Sequence, residues 1–414
     1  MRWGGAKISL QQVALALWVL ASPVLAADEP AQRWEALLGA AQKLATETVR
    51  IAGDEKVQAA RAREAARWLP QAPELSVSHR TDQWLSDLGG REWEVELAAP
   101  LWQRGQRSTL QKLSSDGLRL LEAEKARLEW SLAQKLNEAV WLVREQGAKL
   151  QAAQARFAVA EKLSADVQRR VAAGDLAETD GLLAQGERLA ALAEQEDARV
   201  ALQGARAQLG LLVGSSNVEL PRTDFRSVDR EAPHFSYENH PRWQEAHARF
   251  AIARLEFENT RFGGEPVKAG ISWTQSKDTS DEVAQRMVGV SVSIPLGGQS
   301  RQALSRAEAN TAMVSQEVEL ARLRAALTAT FEQAIRARSS AARQAEQIAE
   351  QLALSERTVA LSKRAFEVGE LDLPAWLRLQ QSASEIALQS ELKSISLSRY
   401  EFDLRLAQGQ IPWR

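Results

Sequence analysis

The sequence has no cysteine. An exported chain of this composition gains no disulfide, no thiolate metal site and no lipid on an N-terminal cysteine, so any membrane attachment must come from the fold. Histidine is scarce: His79, His234, His240 and His247 are the four, and none has the carboxylate or histidine spacing of a metal site. Beyond the initiator only Met287 and Met313 remain, which excludes a methionine ladder for soft metals. Charge of one sign is missing too, with 52 basic against 54 acidic side chains and so no electrostatic footprint for nucleic acid. These residues call for no enzyme activity and no cofactor.

Long apolar runs are absent with one exception. Arg2 and Lys7 precede an apolar run over residues 13–20, and Val24, Leu25 and Ala26 follow where a signal peptidase needs small or apolar side chains. Residues 1–26 are therefore expected to be a secretory signal, cleaved after Ala26. A retained anchor would need about 20 apolar residues. Loss of Arg2 and Lys7 takes the formal net charge from −2 to −4.

Proline is missing between Pro100 and Pro221, and apolar positions there recur at steps of three and four. Leu136, Val140, Val143, Ala153, Ala160 and Val167 form one such stripe. A helix from about 106 to 171 would be roughly 100 Å long, which demands a coiled coil or a tube. Gly174 is placed to end it with a left-handed residue, and Glu178, Thr179 and Asp180 suit the first turn of a returning helix. The same plan recurs 195 residues later: Gly369 ends an equally long pattern, Asp372 is placed to cap the return, and Pro374 falls in its first turn. Pro100 with Pro295, and Gly214 with Gly409, keep the same offset, so the chain is a duplication.

Upstream of each helical hairpin the period changes to two. In the first half the strands are expected at about 74–81 and 91–101, with Trp93, Val95 and Leu97 on one face and Glu92, Glu94 and Glu96 on the other. In the second half they are expected at about 267–274 and 287–296, with Val288, Val290 and Val292 alternating with Gly289, Ser291 and Ser293. The repeats thus span 27–238, with a hairpin at about 106–213 and a connector, and 239–414, with a hairpin at about 299–408. One or two short helices are expected over residues 33–68, with the break at Gly53 and Asp54, and another helix from Pro241 to Phe262. Four strands cannot close a barrel, for which roughly eight are the minimum, but three copies would bring twelve and would remove every exposed edge. In such a barrel the apolar faces meet lipid and the three glutamates either line the lumen, favouring cations, or are simply solvated; a soluble sheet covered by a helix or a second sheet fits the local pattern equally. Trp84, Trp93, Trp102 and Trp273 cluster at the strands, where an interfacial girdle and ordinary packing explain them about equally.

Across residues 53–409 the chain resembles the TolC-type outer-membrane efflux proteins. The residues that carry the resemblance are the paired tips: Val171, Gly174, Asp175 and Leu176 with Thr179 and Asp180, and Phe366, Val368, Gly369, Glu370 and Leu371. The resemblance implies a mainly α-helical chain with a membrane β-barrel: a homotrimer in outer-membrane lipid, twelve strands continuing into a twelve-helix periplasmic tunnel. It also implies that the tips dock a periplasmic adaptor of an inner-membrane pump, and that the duct is passive. A looser likeness to the branch serving metal-exporting pumps of the resistance-nodulation-division type implies metal cations as one cargo class. The family often sets acids six and nine residues past the second tip glycine as a constricting ring; here Ala375 and Arg378 stand there, while Asp180 lies six past the first. A constriction would then be built from Asp180 and Arg378. A second departure is that Asn239, His240 and Pro241 open the second half where the first has Gly53, Asp54 and Glu55. A periplasmic coiled-coil adaptor or scaffold, and the exit duct of a type I secretion system, remain as alternatives.

Overall fold

Each half of the chain carries a helix, two strands and a long helical hairpin in that order, and the first half has one helix more. In the first, α1 (Glu29–Leu44) and α2 (Thr46–Ala66) lead to β1 (Glu74–Thr81) and β2 (Arg91–Pro100), then to α3 (Gln106–Ala173) and α4 (Glu178–Val213). The second gives α5 (Pro241–Asn259), a 3-10 turn at Thr260–Phe262, β3 (Lys268–Lys277), β4 (Gln285–Ser293), α6 (Gln299–Glu367) and α7 (Leu373–Ala407). These come from a computed structural model that describes residues 29–84, 88–215, 217–221, 235–279, 281–296 and 299–414. The expected signal peptide, His234 and most of the connector lie outside the described residues.

The expected break at Gly53 and Asp54 is not there. α2 runs unbroken through both, and the interruption falls at Ala45. An interior glycine costs a helix only about 1 kcal/mol, and the Arg50 to Asp54 ion pair at 2.7 Å spans this one on the helix surface. Arg50 also binds Glu124 of α3 at 3.0 Å, which holds the helix against its neighbour. With the 195-residue offset, Pro241 at the start of α5 corresponds to Thr46 at the start of α2, so Leu44, Ala45 and Thr46, not Gly53, Asp54 and Glu55, stand where the second half has Asn239, His240 and Pro241.

Internal contacts divide the chain into two units. One takes residues up to Thr46 with Leu128–His240 and Leu327–Arg414; the other takes Glu47–Arg127 and Pro241–Ala326. The second contains a four-stranded sheet, order β1-β2-β3-β4, with every neighbouring pair antiparallel. The two hairpins read from the sequence are thus joined by β2 against β3, where Glu96 faces Ser272 and Val95 faces Trp273. Leu75, Val77, Leu97, Ile271, Val288 and Val290 are all exposed in the single chain. In this unit α2, α3 and α5 share an ion cluster: Glu124 and Glu245, both 7 % exposed at the side chain, sit among Arg50, Arg127 and Arg249. Burial raises the Glu245 carboxyl above the usual range despite Arg249 and Arg127.

In the other unit the long helices lie side by side in the order α4, α3, α7, α6. Arg156 of α3 reaches Glu187 of α4 at 2.7 Å, Asn137 of α3 donates to Asp403 of α7 at 2.8 Å, and Lys393 of α7 donates to Gln344 of α6 at 2.8 Å. The apolar stripe expected on α3 is the core, with Leu136, Val140, Val143, Ala153, Ala160 and Val167 buried. The last four residues, 411–414, are irregular but packed: Trp413 stacks on Trp34 of α1 at 4.4 Å, and Arg414 binds Glu35 at 2.7 Å and Glu129 at 2.6 Å.

Candidate functional site

The two hairpin tips are built alike. Gly174 has φ +84° and Gly369 φ +79°, the left-handed conformation that an L side chain resists. Each closes its helix in the same way: Asp175 N–H donates to Arg170 O at 2.9 Å, and Glu370 N–H donates to Ala365 O at 2.8 Å. These are the long bonds of a Schellman ending, and Gly174 and Gly369 add the shorter ones to Val171 O and Phe366 O. A Cβ at either glycine would meet nothing within 4 Å, so a side chain at these two positions would enter open space. Asp175, Glu370 and Val368 are exposed; Leu176 and Leu371 are half-buried and turn inward.

The return helices begin differently. Asp372 caps α7, its Oδ1 accepting from Ala375 N at 2.9 Å, with Pro374 in the first turn as the sequence implies. Ala177 precedes α4 and supplies no side-chain cap, leaving Glu178 and Asp180 to favour the helix end by charge alone.

Behind the turns lies a feature that the sequence reading missed. Val167 and Ala184 of the first hairpin form one buried cluster with Phe366, Leu373 and Trp376 of the second, and Leu176 and Leu371 pack against it. Phe366 and Trp376 lie nearly parallel at 6.2 Å, and Arg170 sits over the Phe366 ring at 5.6 Å. The two tips of one chain are therefore held by a shared core. Phe366 and Trp376 flank Gly369 in the sequence and were the available signal; only the side-by-side packing of the hairpins shows what they meet.

Asp180 is half-buried and Arg378 exposed, with the Arg378 Nε–H donating to Pro374 O of its own helix at 3.2 Å. Among the described residues no ion pair joins the two within one chain.

On the sheet, Glu92, Glu94 and Glu96 share the polar face, as their alternation requires. Arg80 reaches Glu92 at 3.4 Å, an exposed pair that offsets part of that charge, and Glu96 accepts from Ser291 Oγ at 2.5 Å. Gly270 leaves room for the Glu96 carboxylate, because a Cβ there would stand 2.7 Å from its Oε1. Glu94 faces Ser78 and Thr274 across the strands. Cross-strand partners depend on register, which alternation alone does not give.

Among the described residues no group of three or more histidine, cysteine or acidic side chains could hold a metal, and no helix is long and apolar enough to cross a membrane.

No protein-family model matches the sequence, and no curated protein matches it. Solved structures do match. CusC, described with transmembrane channel formation, superposes with a TM-score of 0.73 at 15% identity, over 92% of this chain and 92% of that one. The outer membrane protein VceC of Vibrio cholerae gives 0.72 at 12% identity, over 92% and 96%. The MtrE outer membrane channel of Neisseria gonorrhoeae, in its open state, gives 0.67 at 15% identity, over 92% and 89%. Nearly the whole of each chain is aligned, so the chain has the fold of these outer-membrane channels, long helical hairpins and four-stranded sheet together.

Proposed function

We propose that the chain is the outer-membrane duct of a tripartite efflux system. Three copies close a twelve-stranded barrel in the outer membrane and a twelve-helix tunnel in the periplasm, and the glycine tips dock a periplasmic adaptor fed by an inner-membrane pump. The observation that carries this reading is the pattern of unfinished edges. The sheet ends in β1 and β4, each with one side unpaired among the described residues, and one face of it is largely apolar, with Leu75, Val77, Leu97, Ile271, Val288 and Val290 exposed. The helix layer likewise ends in α4 and α6, and exposed large apolar side chains gather on those two helices: Leu182, Leu189 and Val200 on α4, Ile335, Leu354 and Leu361 on α6. α7, which has a helix on each side, exposes none among the described residues. Open strand edges and apolar helix seams are unstable in water, and closure by further copies satisfies both.

In the closed barrel the apolar sheet face meets lipid, and Glu92, Glu94 and Glu96 line the lumen, where they favour cations, metal ions included. Asp180 and Arg378 stand near the tips as the charged residues of the periplasmic entrance. The duct is passive and runs on the energy of the pump. Membrane fractionation with sedimentation in detergent tests the reading: a helix-rich trimer in the outer-membrane fraction is expected, and a stable monomer that washes off membranes refutes it.

A further inference from the structure

Between α3 and α7 lies an open cavity of about 440 Å³. Lys393, Ser396 and Arg399 line it from one face of α7, with Leu392 and Ile395 beside them, and Trp141 comes from α3. Its charge is organised from the core outwards. Asn137, wholly buried, accepts from Trp141 Nε1 at 2.8 Å and donates to Asp403 Oδ1 at 2.8 Å. Asp403 Oδ2 in turn stands 3.6 Å from Arg399 Nε, which is itself buried and has no hydrogen-bond partner. A buried amide costs stability unless both its ends are satisfied. Here it is spent on orienting the carboxylate that faces a cavity-lining guanidinium.

Two further observations separate this arrangement from ordinary helix packing. Lys393 donates to the neutral Gln344 at 2.8 Å and so keeps its charge, whereas the acid at the rim, Glu145, is already held by Lys149 at 2.7 Å. The duplication also offers a control. At the offset of 195 residues Lys393, Arg399 and Asp403 correspond to Ala198, Gly204 and Gln208, and Asn137 and Trp141 to Glu332 and Arg336. The repeated architecture does not demand the cluster, since its other copy has none of it.

We propose that this cavity binds a small organic carboxylate, with Arg399 and Lys393 holding the carboxylate and Leu392, Ile395 and the Trp141 edge taking the apolar part. Carboxylate on a guanidinium and an ammonium gives charge-assisted bonds of the strong kind. The site lies within one chain and stands whether or not the chain conducts. Titration calorimetry of the full chain in detergent, with benzoate as probe and benzamide as its uncharged counterpart, tests it. One saturable benzoate site per chain is expected, with benzamide at least tenfold weaker. Arg399→Gln and Lys393→Gln should each weaken benzoate at least tenfold, and Arg399→Lys less. Lys393→Gln should melt as the parent does, whereas Arg399→Gln also removes the partner of Asp403, so Arg399→Lys, which keeps that charge, serves as its stability control. Absence of saturable benzoate binding, equal binding of benzamide, or unchanged affinity in both Gln variants overturns the proposal.

Discussion

Valine at the two tip glycines separates the turn from everything else the chain does. A left-handed backbone costs a non-glycine residue about 1–2 kcal/mol, and a β-branched residue falls at the upper end. A new side chain adds no clash at Gly174 or Gly369, because a Cβ at either meets nothing within 4 Å. The whole penalty, about 2 kcal/mol per tip, is therefore local, and the cheapest way to relieve it is to break the bonds from Asp175 N–H to Arg170 O and from Glu370 N–H to Ala365 O. The turn reshapes while the sheet and the long stripes stay as they are. Gly214 is the matched control. It has φ +74°, and a Cβ there would stand 2.8 Å from Cδ1 of Leu44, the end of an exposed side chain that can turn aside, so Gly214→Val carries the same backbone cost away from the tips. The assay is crosslinking of the adaptor in cells, with export and trimer abundance measured in parallel. Gly174→Val and Gly369→Val should lose crosslinking and export at normal trimer abundance, while Gly214→Val, with the same backbone cost, should keep both. Normal crosslinking and export in both tip variants would show that the glycines are only turns and that docking lies elsewhere.

The sheet supplies two further tests. Val292→Arg puts a charge on the apolar face at a cost of about 2–4 kcal/mol near a bilayer midplane, whereas Ser291→Arg places it on the face shared with Glu96; insertion should fail for the first and survive in the second, and equal failure would reverse the assignment of faces. Replacing Glu92, Glu94 and Glu96 with Gln should reduce cation preference in planar bilayers, less at high salt where screening shortens the reach of the charges. Unchanged reversal potentials at low salt would place the carboxylates outside the conducting path.

What the sequence yields here depends on the range of the physics involved. Periodicity and chain punctuation are local, so the strands, the long helices and both left-handed glycines could be read directly, as could the Asp372 cap. Gly53 misled because a glycine is a weak helix breaker, and the Arg50 contacts that decide the matter come partly from Glu124, a residue on another helix. The same limit hid the core behind the tips. Phe366 and Trp376 are conspicuous in the sequence, but nothing local says that Val167 and Ala184 lie against them.

The duplication explains why the two ends of each layer matter so much. Joining two equal halves places β2 against β3 and α3 against α7, and these inner elements find their partners within the chain. It cannot supply partners for β1 and β4, or for the outer sides of α4 and α6, however many residues are refined inside each half. In the proposed trimer another copy offers the matching edge, β1 against β4, a head-to-tail contact that gives a ring when its rotation closes. Four strands per chain then set the count: two copies reach about the smallest barrel, filled by its own side chains, while three give twelve strands and room for a lumen. A chain read as a duct needs the larger ring, so the state of assembly and the function stand or fall together.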